Sequence, residues 1–182
     1  MKHAGTQTIK TDRLTLRRFE LNDAEAMYRN WANNTEVTKY MRWQPHKDAD
    51  ETRGILQQWI DGYCDDNSYH WGICLKDGEL IGSIGEIVAD IDHRAEIGYC
   101  IGRKWWGKGY VSEALKAVID YMFTNTDIER IEACHAIENA ASGKVMINAG
   151  MVHEGFARNK FKGIHGFHDS DMYGIIREMW EE

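Results

Sequence analysis

The chain has 182 residues, 43% of them hydrophobic, with one proline and no Gly/Ser-rich or single-charge tract, which suits one well-buried domain rather than two. Its 29 acidic and 22 basic side chains leave a formal charge of -7, which argues against a general nucleic-acid binder and attracts an amine rather than repelling it. No apolar run approaches membrane-spanning length, residues 1–10 lack the apolar core of a secretion signal, and the 4 cysteines show no C-x-x-C spacing, so the expectation is a cytoplasmic protein with reduced, mostly buried thiols.

In chain order, residues 13–19 alternate as a strand, and residues 1–8 ahead of it are expected to lie outside the ordered fold. Asn22 with Glu25 three residues on predicts a helix start, running to about Ala32. Asp48 and Glu51 open a second helix to about Tyr63, with Ile55, Leu56, Trp59 and Ile60 on one side. The irregular loop between them holds Tyr40, Met41, Trp43 and Pro45, which either pack onto the core or cover a binding pocket. Residues 69–75 and 80–88 flank Lys76-Asp77-Gly78-Glu79 as a hairpin, and residues 95–101 add a third strand.

Val111, Leu115, Val118, Ile119 and Met122 then recur at helical spacing, with Lys116 and Asp120 on the other face. A strand at 130–136, a helix at 140–149 and late strands near 151–158 and 169–177 follow. Strands on both sides of the crossover helix imply a mixed sheet, antiparallel early and parallel around its fourth and fifth strands.

The most informative stretch is 97–114, read I-G-Y-C-I-G-R-K-W-W-G-K-G-Y-V-S-E-A: a strand, a Gly-Lys-Gly turn and an amphipathic helix. Gly107 and Gly109 free the backbone to aim N–H groups at one spot, and the helix adds unpaired donors and its positive dipole end, so the turn predicts a phosphate socket. Gly102-x-x-x-x-Gly107-Lys108 also matches most of a Walker A loop. The position that needs Ser or Thr to hold magnesium is Gly109, however, and residues 130–136 do not end in a magnesium-binding Asp, so a P-loop-type nucleotide phosphatase is the runner-up.

Trp106-Gly107-Lys108-Gly109-Tyr110 followed by Glu113-Ala114 resembles the acetyl-CoA loop of the GNAT N-acetyltransferases. Asn139-Ala140-Ala141-Ser142, then Gly150-Met151 and Glu154-Gly155, resemble the segment after strand five in the branch that includes ribosomal-protein N-terminal acetyltransferases. Thr11-Asp12-Arg13-Leu14-Thr15-Leu16-Arg17 resembles that branch's first strand, so the similarity spans nearly the whole chain. Trp106 and Val111 depart from the superfamily's loop pattern, and Met146 stands where many relatives carry a tyrosine that protonates the leaving thiolate.

The resemblance implies a single α/β (α+β) domain over residues 1–182, with a mixed, mostly antiparallel sheet of about seven strands flanked by about four helices. It implies direct transfer of an acetyl group from acetyl-CoA to a primary amine, a protein N-terminus or a small molecule, in a ternary complex. Main-chain amides of Gly107, Lys108, Gly109, Tyr110, Val111 and Ser112 would take the pyrophosphate, with Lys108 adding charge and Trp106 opening the loop. The edge of Tyr99, Cys100 and Ile101 would pair with the pantetheine arm, and an N–H near Cys100 or Ile101 would stabilise the oxyanion.

Glu86 and Glu96, on neighbouring predicted strands, are the candidate bases; His135 and Glu138 are weaker ones. Ser142 would serve the departing sulfur or cap its helix, and Asn139 would bond the cofactor arm or fix the helix start. Cys100 as an acyl-carrying nucleophile lacks a base, and His165-x-x-His168-Asp169 lacks further ligands, so no metal is expected. A catalytically idle CoA-binding module stays open as an alternative, membrane and nucleic-acid partners are not expected, and the late strands leave room for a homodimer.

Overall fold

Leu14 and Leu16 are fully buried while Thr15 and Arg17 between and beside them are not, the alternation of a strand with one face on the core. A computed structural model of the chain describes residues 1–181, apart from the side chains of Glu86, Ile87 and Ala89. Strands β1 (Ile9–Lys10), β2 (Leu14–Arg17), β3 (His70–Leu75), β4 (Leu80–Ala89), β5 (Arg94–Ile101), β6 (Arg130–Ala136), β7 (Val152–Gly163) and β8 (Gly166–Ile176) form one sheet in the order β1-β2-β3-β4-β5-β6-β8-β7. Among the described residues β5 and β6 pair in parallel and the other neighbours antiparallel, as the crossover helix requires. The sheet has one strand more than expected, the two-residue β1, and the late pair is longer than the sequence pattern suggested.

The helices are α1 (Ala24–Met27), α2 (Thr35–Thr38), α3 (Ala49–Gly62), α4 (Tyr110–Asn125), α5 (Ala140–Asn148) and α6 (Arg177–Glu181). The first helical run starts earlier than Asn22, because the Asp23 carboxylate accepts the Glu20 N–H at 2.8 Å and is itself held by Arg17. It continues from α1 into a wide turn over Tyr28–Ala32. Asp48 caps α3 as expected, accepting the Glu51 N–H at 2.8 Å. The aromatic loop holds the short α2 and packs: Met41 accepts the Ile164 N–H at 3.1 Å and the Tyr40 ring meets His168 edge-on, which docks the loop on the β7–β8 hairpin.

Residues 1–8 are tied down rather than loose. Gly5 donates to Asp66 at 2.7 Å, Thr6 Oγ1 to Ser68 at 2.8 Å, and the Trp71 indole to Gln7 at 2.7 Å.

Two apolar layers cover the sheet. On one face Leu14, Leu16, Trp71, Ile84, Ala95 and Ile97 meet Val111, Ala114, Leu115, Val118 and Met122 of α4. On the other, Cys74, Leu80 and Cys100 meet Phe19, Met27, Trp31 and Leu56. The crossover from β5 through α4 to β6 therefore sets the start of α4 at the end of β5.

Candidate active site

After β5 ends at Ile101, a tight turn over Arg103–Trp105 leads into Gly107 (φ 72) and Gly109 (φ 77), and α4 begins at Tyr110. A β-carbon at either glycine would strain this left-handed backbone, which is why the turn is built from them. Gly109 sits at the N-cap and brings no side-chain acceptor. The first amide of the helix with a partner is Glu113, on Gly109 at 3.1 Å, so the N–H groups of residues 107–112 have no acceptor among the described residues. Unpaired donors at a helix N-terminus, on an exposed turn, form a seat for an anion.

The turn is braced by residues that the sequence reading did not place in the site. The Glu113 carboxylate accepts the Thr11 hydroxyl at 2.6 Å, the Arg13 N–H at 2.9 Å and the Arg13 guanidinium at 2.6 Å. Arg13 also donates to the Lys108 carbonyl at 3.0 Å and lies over the Tyr110 ring, 4.8 Å from its centre. Partial burial pushes the Glu113 carboxyl up, but these hydrogen bonds outweigh it and hold the group below its ordinary value. Thr11, Arg13 and Glu113 all fell within the quoted motifs, and that was the signal available for them. Val111 is buried in the core, leaving only its amide to the turn, and Lys108 is exposed.

Beside this turn the sheet opens. The β5–β6 ladder stops at Glu96 opposite Glu132, so residues 97–101 of β5 pair on the β4 side alone. Gly102 donates to Ile81 at 2.9 Å, and antiparallel alternation from that bond turns the Cys100 N–H toward Ser83 and the Tyr99 and Ile101 N–H groups toward the opening. The Ile101 carbonyl, on the same side, accepts the Trp106 indole at 2.9 Å. This corrects one expectation: the Cys100 amide belongs to the sheet, and Tyr99 and Ile101 carry the open edge. The Cys100 thiol is 3.2 Å from the Ser83 hydroxyl, with burial pushing it up to about 11, a packed thiol rather than a nucleophile.

Across the opening stands the first turn of α5. Tyr99 Oη lies 2.8 Å from Ser142 Oγ and donates to the Ser142 carbonyl at 3.1 Å. Asn139 occupies the N-cap of α5 without a side-chain capping bond, and among the described residues the Ser142 hydroxyl meets Tyr99 rather than a helix amide. Met146 is buried in the core. Gly143 faces β6 and β8 so closely that a β-carbon there would lie 2.6 Å from His135 Nε2 and 2.9 Å from Tyr173 Oη. His135 Nδ1 donates to the Ala136 carbonyl at 2.8 Å, and Nε2 is buried with no hydrogen-bond partner among the described residues. That suits a sheet histidine pressed against α5.

The carboxylates are sorted by their neighbours. Glu132 is held by Arg94 and, at 3.1 Å, by Arg130, which also grips Glu154. Glu96, on the same face, contacts the Cys134 thiol at 3.9 Å and has no cationic partner among the described residues. Burial, then the charge of Glu96, keeps the Cys134 thiol above its ordinary value. Glu86 is paired with Ile97 and Glu96 with Ile87, so the two glutamates are not directly opposed; the Glu86 side chain lies outside the described residues. Glu138 is exposed and 3.8 Å from His168, whose ring is engaged by Tyr40 and Phe161.

A model of the acetyltransferase (GNAT) domain matches residues 13–152, which include the braced turn, the open edge and the start of α5. The chain belongs to the GNAT acetyltransferase family. Among its GNAT relatives, an uncharacterized N-acetyltransferase p20 of Bacillus licheniformis is 37% identical over 94% of this chain and 97% of its own. The [ribosomal protein uS5]-alanine N-acetyltransferase of Escherichia coli is 30% identical over 83% of this chain and 81% of its own. Mycobacterium smegmatis RimJ, solved in complex with CoA-disulfide, has the same fold, with a TM-score of 0.88 over 100% of this chain and 93% of its own at 21% identity. As a GNAT N-acetyltransferase this chain is an enzyme, and none of its described helices is long and apolar enough to cross a membrane.

Proposed function

We propose that the chain transfers the acetyl group of acetyl-CoA to a primary amine by direct attack in a ternary complex. The observation that carries the reading is the run of unpaired amides over residues 107–112 beside the open edge of Tyr99 and Ile101. The turn takes the pyrophosphate of the acyl donor, and Tyr99 and Ile101 pair with its amide-bearing arm. This runs the thioester along β5 away from the turn, next to the Tyr99 N–H, a donor suited to the oxyanion that forms when the amine attacks.

Glu96 is the base favoured by charge: Glu132 is neutralised by two arginines, whereas Glu96 is free to attract the ammonium form and take its proton. The thiolate then leaves beside Ser142, whose hydroxyl stabilises the sulfur. No acyl-enzyme is formed. The acceptor is a protein N-terminus or a small-molecule amine, the former supported by the uS5-alanine enzyme among the relatives. Free thiols at Cys64, Cys74, Cys100 and Cys134 fit a cytoplasmic setting, and the edge strand β7 offers a place for a homodimer to pair.

The buried Met146, which has no proton to give, favours a second reading, an idle CoA-binding module. Release of free CoA from acetyl-CoA, followed against N-terminal peptides, polyamines and aminoglycosides, separates the two. Turnover with one of these amines supports transfer; tight acetyl-CoA binding with no turnover across the panel supports the idle module.

A further inference from the structure

Where the β5–β6 ladder ends, the sheet is bridged by a side chain instead. Three residues beyond Glu96, the Tyr99 phenol reaches out of β5 to the first turn of α5 and meets Ser142 twice, at Oγ (2.8 Å) and at the carbonyl (3.1 Å). We propose that Tyr99 is a positioning residue for acyl transfer, its phenol orienting the Ser142 hydroxyl so that the serine hydrogen is directed at the departing sulfur. The inference rests on the reading of Ser142 given above and adds the group that makes it effective.

The chemistry follows from counting hydrogens. The Ser142 carbonyl only accepts, and Tyr99 has a single hydrogen to give. When that hydrogen lies on the carbonyl, the Ser142 hydrogen rests on the phenol oxygen. When it turns to Oγ, Ser142 keeps its own hydrogen for a third atom. The exchange is a rotation of two hydroxyl hydrogens with no movement of heavy atoms, and negative charge growing beside Oγ favours the second arrangement. During transfer the carbon–sulfur bond breaks with its electron pair on sulfur. The Ser142 hydrogen bond stabilises that pair, and the proton lost by the amine nitrogen balances the one the sulfur finally takes. Burial keeps the phenol protonated well above its ordinary range, so it remains a donor throughout neutral pH.

The test compares Tyr99→Phe, Ser142→Ala and the double variant in steady-state acetyl transfer to the amine found by the turnover panel. Tyr99→Phe keeps the ring and removes one oxygen. The expected result is a kcat about tenfold lower, with the acetyl-CoA KM and the unfolding midpoint near wild type. Ser142→Ala loses at least as much, and the double variant is no slower than Ser142→Ala.

An unchanged kcat in Tyr99→Phe, a loss confined to KM or to stability, or a full further loss on adding Tyr99→Phe to Ser142→Ala overturns the inference while leaving Ser142 in place. A normal kcat in Ser142→Ala overturns the reading of Ser142 and this inference with it. A wild type that turns over no amine overturns both.

Discussion

Arg13 and Glu113, 100 residues apart, meet at 2.6 Å and lock the residue that leads into β2 to the first turn of α4. The same carboxylate takes the Thr11 hydroxyl, and the same guanidinium holds the Lys108 carbonyl, so the anion-binding turn is anchored from outside itself. Glu113→Gln is expected to lower stability by about 1–2 kcal/mol at neutral pH and to weaken acetyl-CoA binding several-fold. Thermal unfolding and titration calorimetry check the two effects separately.

The same latch has a pH signature. Because the folded Glu113 carboxyl lies below its unfolded value, its stabilisation is complete above the ordinary carboxylate range and is lost as pH falls through the folded value. The stability gap between wild type and Glu113→Gln should therefore be widest at neutral pH and narrow as pH falls through and below the ordinary carboxylate range. Unfolding midpoints measured across that range check it, and a gap that widens toward acid contradicts it.

Gly143→Ala would bring a methyl group within 2.6 Å of His135 Nε2 and 2.9 Å of Tyr173 Oη, so the first turn of α5 must move away from the sheet. A stability loss of about 1–3 kcal/mol is expected. Because Ser142 moves with the turn, kcat should fall more steeply than acetyl-CoA affinity. Denaturant unfolding and steady-state kinetics are the measurements.

Glu96 and Glu132 stand side by side on one face but should answer differently to amidation. Glu96→Gln is expected to lower kcat about 10²-fold or more with little change in stability, since an amide cannot take a proton from the amine. Glu132→Gln leaves Arg94 and Arg130 undercompensated and should cost stability while keeping most of kcat. Steady-state kinetics and unfolding midpoints of both variants decide the assignment.

Thiol reactivity should follow exposure. Cys64 is exposed, whereas Cys74 and Cys100 are buried and their thiols raised by burial. Brief alkylation at neutral pH should label Cys64 alone and leave transfer intact, as read by peptide mass mapping and activity. Cys100→Ala should retain activity, since Cys100 carries no acyl group.

Much of this arrangement could be read from residue patterns, for reasons that are local. The glycines at 107 and 109, the apolar spacing from Val111 to Met122, and the Asp48 cap act within a few residues of themselves, so the turn and the helices were accessible. The start of the first helix was placed late because Asp23 is recruited by Arg17, a contact that spacing does not announce.

The site was legible in its backbone and less so in its side chains. That Tyr99 and Ile101, and not Cys100, own the open edge depends on hydrogen-bond alternation across β4, which follows only once the register is known. The pairings of Tyr99 with Ser142 and of Arg13 with Glu113 join distant segments that no window of sequence compares. Charge sorting between Glu96 and Glu132 likewise needed the arginines of three-dimensional neighbours.

The most direct measurement is titration calorimetry of acetyl-CoA into wild type and Gly109→Asp, with ATP and magnesium as the control ligand. An aspartate here strains the left-handed backbone that aims the amides of the turn and places a negative charge that repels a phosphate arriving there. Saturable one-to-one binding of acetyl-CoA to wild type, binding at least tenfold weaker in Gly109→Asp, and none of magnesium ATP are the expected results. Equal acetyl-CoA affinity in the two proteins, or preference of the wild type for magnesium ATP, would contradict it.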